Sequence, residues 1–281
     1  MATFSSTMQN PRLKAMVVPR EHGAWGMLLV PLATAAVVAA GSAINPLALS
    51  LFVIAALAIF CLRTPVEAWM GTSAIKVHTT QEERTVLTVT VVLSFVAVMA
   101  IATLFRLGYF RGLLIVGVVA ALSFVFQAIV KRLGRRGRMP AQVIGAAGLT
   151  STAACAYYVA TGQLNSIAVA LWIANWLFAG NQVHFVQVRI RTSRASRPRD
   201  KARQGYVFLI GQSVLLIVIA VLIEFGIFPK LAILAFVPAI IRGTAWFFVR
   251  GQQALDVHKL GFSELLQSIL FGVLLCGAFR L

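Results

Sequence analysis

The chain has 281 residues, of which 59% are hydrophobic and 12% charged, and its mean hydropathy is +0.87. Soluble domains carry about 25% charged residues, so this composition excludes a water-soluble globular protein and indicates an integral membrane protein. The net charge of +17 would suggest nucleic acid for a soluble protein. Here the basic residues fall in short loops between apolar runs, where they fix orientation or meet anionic head groups, and we predict no nucleic-acid partner.

The apolar residues occur in runs of the length that crosses a bilayer. A helix needs about 20 apolar residues to span the hydrocarbon, and the alternation typical of a membrane barrel is absent. We predict an all-α, polytopic membrane helix bundle, with residues 1–18 as a tail and 19–281 as a single transmembrane domain. The nine predicted membrane helices are residues 23–41, 46–62, 85–105, 112–130, 141–160, 166–186, 206–226, 231–249 and 262–280.

The loops between these helices predict the orientation. Four of the 25 basic residues fall on one side, and the remaining 21 fall on the side of the N-terminus. The positive-inside rule therefore places the N-terminus in the cytoplasm. The four basic residues on the outer side are Arg106, Arg111, Lys230 and Arg280.

Most other polar side chains fall on the cytoplasmic side as well. All four histidines lie there, and so do seven of the eight acids, Glu224 being the exception. Any chemistry therefore opens towards the cytoplasm.

Two polar clusters lie in the first part of the chain. In "PREHGAW", Pro19 and Trp25 suit a helix start at the membrane interface, whereas His22 next to Gly23 is a candidate for a functional site. In "CLRTPVEAWM", Arg63 and Glu67 are four residues apart, which predicts either a local ion pair or a charged pair at a cavity mouth. Pro65 between them would kink or stop the helix.

Two further clusters lie nearer the C-terminus. "VKRLGRRGR" contains Lys131 and Arg132. Its basic residues either fix the orientation of the neighbouring helices in the membrane or bind a phosphate-bearing head group. In "NWLFAGNQVHFVQVRIR", Asn181 and His184 are three apart on one helix face, and Arg189 follows. Polar groups at such depth face the bundle interior, so this segment predicts either an interhelical hydrogen-bond pair or a binding site.

Arg242 lies within the eighth predicted helix. A mid-helix arginine costs about 2.5–3.5 kcal/mol on insertion scales. It either extends to the cytoplasmic surface or faces inward to pair with Glu264, Asp256 or a substrate anion.

The segments "PREHGAWGMLLVP" and "LFAGNQVHFVQVRIR" resemble the YwiC-like family of bacterial membrane proteins, and this resemblance implies a location in the bacterial inner membrane. The layout also resembles UbiA-type intramembrane prenyltransferases, which have nine helices, an N-terminus inside, and active-site loops after helices 2 and 6. "NQVHF" is similar to the "PHF" stretch of protoheme IX farnesyltransferases. The UbiA enzymes hold Mg²⁺-diphosphate with two Asp-rich motifs, and Mg²⁺ needs hard oxygen ligands. At the position of the first motif this chain has Glu67, and at the position of the second it has Asn181 and His184. The sequence therefore does not identify a metal or a cofactor.

The resemblance implies a UbiA-like bundle and a divergent transferase, or an inactive relative, that acts on an isoprenoid, quinone or haem-like lipid. The alternative is a non-enzymatic accessory protein of a respiratory complex or a transporter, and two histidines, His22 and His184, could also ligate haem. In the transferase hypothesis the histidines and Glu67 are acid/base or orienting groups. The hypothesis assigns catalytic roles to His22, Glu67 and His184, and substrate-binding roles to Arg63, Lys131, Arg132, Asn181 and Arg189.

Overall fold

The computed structural model describes residues 11–19, 22–41, 44–71, 75, 77–134, 137–194, 198–248 and 256–281, and these residues form helices and connecting turns without a strand. A π-helical turn, Phe105–Tyr109, joins the fourth helix to the fifth. The α-helices are α1 (Pro11–Val17), α2 (His22–Ala39), α3 (Pro46–Trp69), α4 (Thr80–Leu104), α5 (Phe110–Lys131), α6 (Arg138–Thr150), α7 (Thr152–Thr161), α8 (Ser166–Arg194), α9 (Pro198–Glu224), α10 (Ala232–Phe248) and α11 (Val257–Arg280).

Several of these helices are suited to a membrane. In the described part of the chain, five helical stretches are long and apolar enough to cross one, and two shorter apolar helices, Gly23–Ala39 and Ala232–Phe248, accompany them. They support a multi-pass helical membrane protein, while the number of nine crossings stays a prediction. The five stretches are Pro46–Trp69, Thr80–Lys131, Arg138–Thr161, Gly205–Glu224 and Lys259–Arg280.

The stretch Thr80–Lys131 contains two of the predicted membrane helices. Its 52 residues would make a continuous helix roughly 78 Å long at 1.5 Å per residue, more than twice the hydrocarbon thickness. Gly108 interrupts it with a φ of 95°, a conformation that glycine adopts without steric cost. The loop predicted between residues 105 and 112 is therefore a kinked π-helical turn.

The chain divides into two compact units. Unit 1 comprises Met1–Glu21 and Asn45–Phe110, and unit 2 comprises His22–Ile44 and Arg111–Leu281. The single transmembrane domain over residues 19–281 stays a prediction.

Unit 1 is a hairpin of α3 and α4 with α1 packed against it. Met16 of α1 is fully buried with Ala68 and Val86. The start of α4 is fixed by a capping box, in which Glu82 accepts hydrogen bonds from the backbone N–H groups of His78 and Thr79. We did not predict α1, since its seven residues are too few to give a membrane-length pattern.

Unit 2 is built around the helix pair α6 and α7. Small residues fill its buried face, among them Ala141, Gly145 and Ala156, and small side chains let neighbouring backbones approach closely. α2 packs on α7 and α11, and α8 packs on α6, α7 and α9. The indoles of Trp172 and Trp176 donate hydrogen bonds to carbonyl oxygens of α6 at 2.9 and 2.8 Å. This packing positions α8, which carries the candidate site.

We expect Gly112→Ala to lower the thermal midpoint of the detergent-solubilised protein by several degrees. A Cβ at Gly112 would overlap the ring of buried Tyr158, and overpacking costs about 1–3 kcal/mol. Gly117→Ala, on the same helix, is the matched control, because a Cβ there meets nothing within 4 Å and alanine favours helix. An equal response of both variants would contradict the packing of α5 on α7.

The orientation can be tested at the two ends of unit 2. Gln163 lies just before the start of α8. Lys259 lies in the first turn of α11, and α11 contacts the later half of α8 through Gln182 and Glu264. The two residues therefore mark opposite ends of α8. In a variant without Cys61, Cys155 and Cys276, we expect a membrane-impermeant maleimide applied outside intact cells to label Gln163→Cys and to spare Lys259→Cys until the cells are opened. The reverse labelling pattern would show that the positive-inside assignment is wrong.

Candidate functional site

The helix α8 carries three of the predicted site residues, Asn181, His184 and Arg189. The first two face α9, as their spacing predicts. Asn181 accepts a hydrogen bond from the side-chain amide of Gln212. The ring of His184 lies 5.1 Å from the ring of Phe208.

The next face of α8 is directed at α10 and α11 and carries Arg189. Its guanidinium lies 5.4 Å from the ring centroid of Trp246 on α10. On the same face of α8, the ring of Phe185 lies 4.4 Å from the guanidinium of Arg242. Aromatic faces attract cations at such distances, so the aromatic residues hold both arginines at this corner of unit 2.

Arg242 pairs with Glu264, one of the three partners that the sequence allowed. Nη1 of Arg242 lies 2.7 Å from Oε1 and Nη2 lies 3.0 Å from Oε2 of Glu264, and Nη1 also donates to Ser263 at 3.1 Å. The two side chains are 19% and 8% exposed. This bidentate geometry is the strong form of an arginine–carboxylate pair, and it satisfies a charge that would be costly in an apolar helix.

The corner carries more positive than negative charge. Partial burial, followed by the charge of Arg242, lowers the pKa of Arg189, and the carboxylate of Glu264 acts in the opposite direction. Among the described residues, two guanidinium groups thus lie near one carboxylate, which is paired with Arg242. We call Arg189, Arg242 and Glu264, with the flanking Phe185 and Trp246, the arginine corner.

Polar side chains continue from this corner into the interior of unit 2. Gln182 donates to the backbone oxygen of Glu264 at 2.9 Å and to Ser268 at 3.0 Å. A small pocket lies next to these residues and is lined in part by Gln182, Ser268 and Asn175. Asn175 donates a hydrogen bond to Thr34 at 3.3 Å. The described interior of unit 2 is therefore polar beyond the end that the sequence analysis assigns to the cytoplasm, which that analysis did not predict.

The sequence reasoning missed Gln212, Ser268 and Thr34 as members of these contacts. Gln212 lies within an apolar membrane-length helix, and that placement was a usable signal, since such polar residues face the bundle interior. Ser268 and Thr34 gave no such signal, because small hydroxyl side chains are common in membrane helices, where they bond to backbone carbonyls.

The predicted pair Arg63 and Glu67 lies in unit 1, on α3. Nε of Arg63 lies 2.8 Å from Oε1 of Glu67, with the side chains 55% and 43% exposed. Pro65 is buried and does not end α3, which continues to Trp69. The geometry is the local ion pair that was one of the two alternatives, and a role at a cavity mouth stays a prediction.

The remaining predicted residues lie elsewhere in unit 2. Lys131 and Arg132 are exposed at the end of α5. His22 begins α2, and its side chain lies outside the described residues. The roles assigned to all three stay predictions. In the part of the chain that the structure describes, no group of three or more His, Cys, Asp or Glu side chains could hold a metal ion.

Breaking the Arg242–Glu264 pair is expected to destabilise the protein strongly. Glu264→Ala leaves Arg242 buried and close to Arg189, so we expect a loss of about 3 kcal/mol, near the lower end for buried pairs. Replacing both residues, as Arg242→Met with Glu264→Leu, should recover most of the loss. Thermal midpoints in detergent of the wild type, Arg242→Met, Glu264→Leu and the double variant form the double-mutant cycle that measures the coupling.

Glu67→Ala is the control for this cycle, because it breaks a half-exposed ion pair worth less than about 1 kcal/mol. A midpoint loss for Glu264→Ala no larger than for Glu67→Ala would contradict the buried pair.

Comparison with known proteins gives one match. The family model described as "YwiC-like protein" matches residues 18–158, which include the "PREHGAW" segment and end before α8. No match was found among curated proteins or among solved structures. Since the family model covers half of the sequence, the chain belongs to the YwiC-like family.

Proposed function

We propose that this protein is a multi-pass protein of the bacterial cytoplasmic membrane that binds an anionic lipid of isoprenoid type at the arginine corner. The observation that carries the proposal is the surplus of positive charge there: among the described residues, Arg242 is paired with the carboxylate of Glu264, and Arg189 lies nearby against Trp246 without an ion pair. A partly buried guanidinium without a full counter-charge is unfavourable in an apolar bundle. A phosphate or carboxylate head group would supply that charge, and it suits the planar fork of arginine.

The surroundings favour a lipid over a small soluble anion. Phe185 and Trp246 flank the two arginines with apolar surface, and Phe208 packs against Phe185. The corner lies where the later part of α8 meets α10 and the first turns of α11. With the predicted orientation, this end of unit 2 faces the cytoplasm, where the head group of a membrane lipid would lie beside the protein.

We favour lipid binding over a transferase reaction because the side chains of the arginine corner can hold an anion. Glu264 is engaged by Arg242 on both oxygens, so it is not placed to act as a base. A UbiA-like transferase stays the enzymatic form of the proposal, with His184 of unit 2 as its acid/base group and Asn181 as a hydrogen-bonding group. Glu67, Arg63, Lys131, Arg132 and His22 keep the roles that the sequence predicts.

A transporter is the second candidate, and one observation favours it. Asn175 and Thr34 are buried and hydrogen-bonded to each other in the interior of unit 2, further along α8 from the arginine corner. Intramembrane polar residues often mark a pathway. No contact among the described residues specifically supports the alternative of an accessory protein of a respiratory complex.

The test compares an anionic isoprenoid with its neutral alcohol. We expect native mass spectrometry of the detergent-solubilised protein to show binding of farnesyl phosphate and much weaker binding of farnesol. Arg189→Gln should weaken farnesyl phosphate about tenfold, because a charge-assisted hydrogen bond contributes about 1.5–3 kcal/mol.

Arg191→Gln is the matched control. It removes the same charge two residues along α8, from an exposed position, and should change binding less than about twofold. Equal weakening by both variants would show diffuse attraction and contradict a site at the corner. Binding of phosphatidylglycerol without farnesyl phosphate would keep the anion site and overturn its isoprenoid assignment.

A further inference from the structure

A second polar feature lies on the other face of α8, around Gln212 of α9. Gln212 is 3% exposed. Its Nε2 donates to Oδ1 of Asn181, which leaves Oε1 of Gln212 buried without a hydrogen-bond partner. Buried acceptors are rarely left unpaired in native proteins, because their desolvation is then uncompensated. The oxygen is therefore available to a hydrogen-bond donor from outside the chain.

His184 and Asn181 of α8 lie beside Gln212 of α9. A Cβ on Gly211 would lie 2.7 Å from Cε1 and 2.9 Å from Nδ1 of His184, so the glycine lets the imidazole lie directly against α9, beside Gln212. Within the described residues, the imidazole of His184 forms no hydrogen bond and neither does Nδ2 of Asn181. The cluster thus offers an unpaired acceptor and an unpaired donor on adjoining side chains.

The surroundings of this cluster are apolar. α9 from Gly205 to Glu224 is one of the stretches suited to a membrane. Gln212 shares its buried face with Phe208, Leu215 and Ile219, whereas Val207, Ile210 and Val214 are exposed on the opposite face. A molecule that reaches Gln212 must therefore enter between α8 and α9 from apolar surroundings, so it must be soluble in the lipid phase.

We propose that Asn181, His184 and Gln212 form a second binding site, which takes the hydroxyl group of a lipid-soluble alcohol or phenol. The hydroxyl donates its hydrogen to Oε1 of Gln212, and its oxygen accepts from Nδ2 of Asn181. A hydroxyl suits both groups at once because it is a donor and an acceptor.

This site does not depend on the arginine corner. Its residues contact α9, whereas Arg189 and Gln182 are directed at α10 and α11. Aromatic packing separates the two: Phe208 lies against His184 on one side and against Phe185 on the other.

The test uses 4-hexylphenol and its methyl ether, 4-hexylanisole, which are of similar size and differ in the hydroxyl donor. Binding to the full-length protein in neutral detergent is followed by isothermal titration calorimetry. We expect the phenol to bind about tenfold more tightly than the ether, and Gln212→Leu to abolish this preference. Gln267→Leu is the matched control, since Gln267 of α11 also has a buried, unpaired amide oxygen, and it should keep the preference.

Arg189→Gln separates this proposal from the anion site. It should keep the preference for the phenol whether or not farnesyl phosphate binds. Equal binding of phenol and ether, or an unchanged preference in a folded Gln212→Leu protein, would overturn the proposal. A preference lost equally in the two glutamine variants would overturn it as well, because the loss would then not be specific to this cluster.

Discussion

An arginine inside a bundle of apolar helices needs a counter-charge at hydrogen-bonding distance, and Glu264 supplies one to Arg242. This pair fixes the relative position of α10 and α11, because its two parallel hydrogen bonds have a narrow range of geometry. Gln182 then ties α8 to α11 through the backbone oxygen of Glu264. The corner at which Arg189 lies is therefore a consequence of satisfying one buried charge.

The rest of unit 2 follows from the same requirement that interior polar groups be paired. Trp172 and Trp176 donate to carbonyl oxygens of α6, and Asn175 donates to Thr34 on α2. These bonds connect helices whose contact faces are otherwise small and apolar, where close packing provides attraction but little directional specificity. Gln212 departs from this pattern, as Gln267 does, since its amide oxygen is buried without a partner. Gln212 carries a separate proposal because Asn181 and His184 lie beside it.

The amount that could be predicted from sequence differs between the helices and the site. The apolar runs are long, and every predicted membrane segment overlaps a helix. α1 was missed because it is short. The turn at Gly108 was predicted as a loop because its five residues are too few to show a helical period. The shared face of Asn181 and His184 followed from their spacing, whereas their neighbours on α9 did not.

The sequence by itself determined that this is an all-helical protein suited to a membrane, with its charges gathered in particular loops and its polar residues on α8. Those features depend on composition and on spacing along one chain, and both are local. Only the tertiary structure decided that Arg242 takes Glu264 as its partner, that Arg189 joins them, and that Gln212 faces Asn181. Each of these is a contact between different helices, and the order of residues along the chain does not specify which helix faces meet.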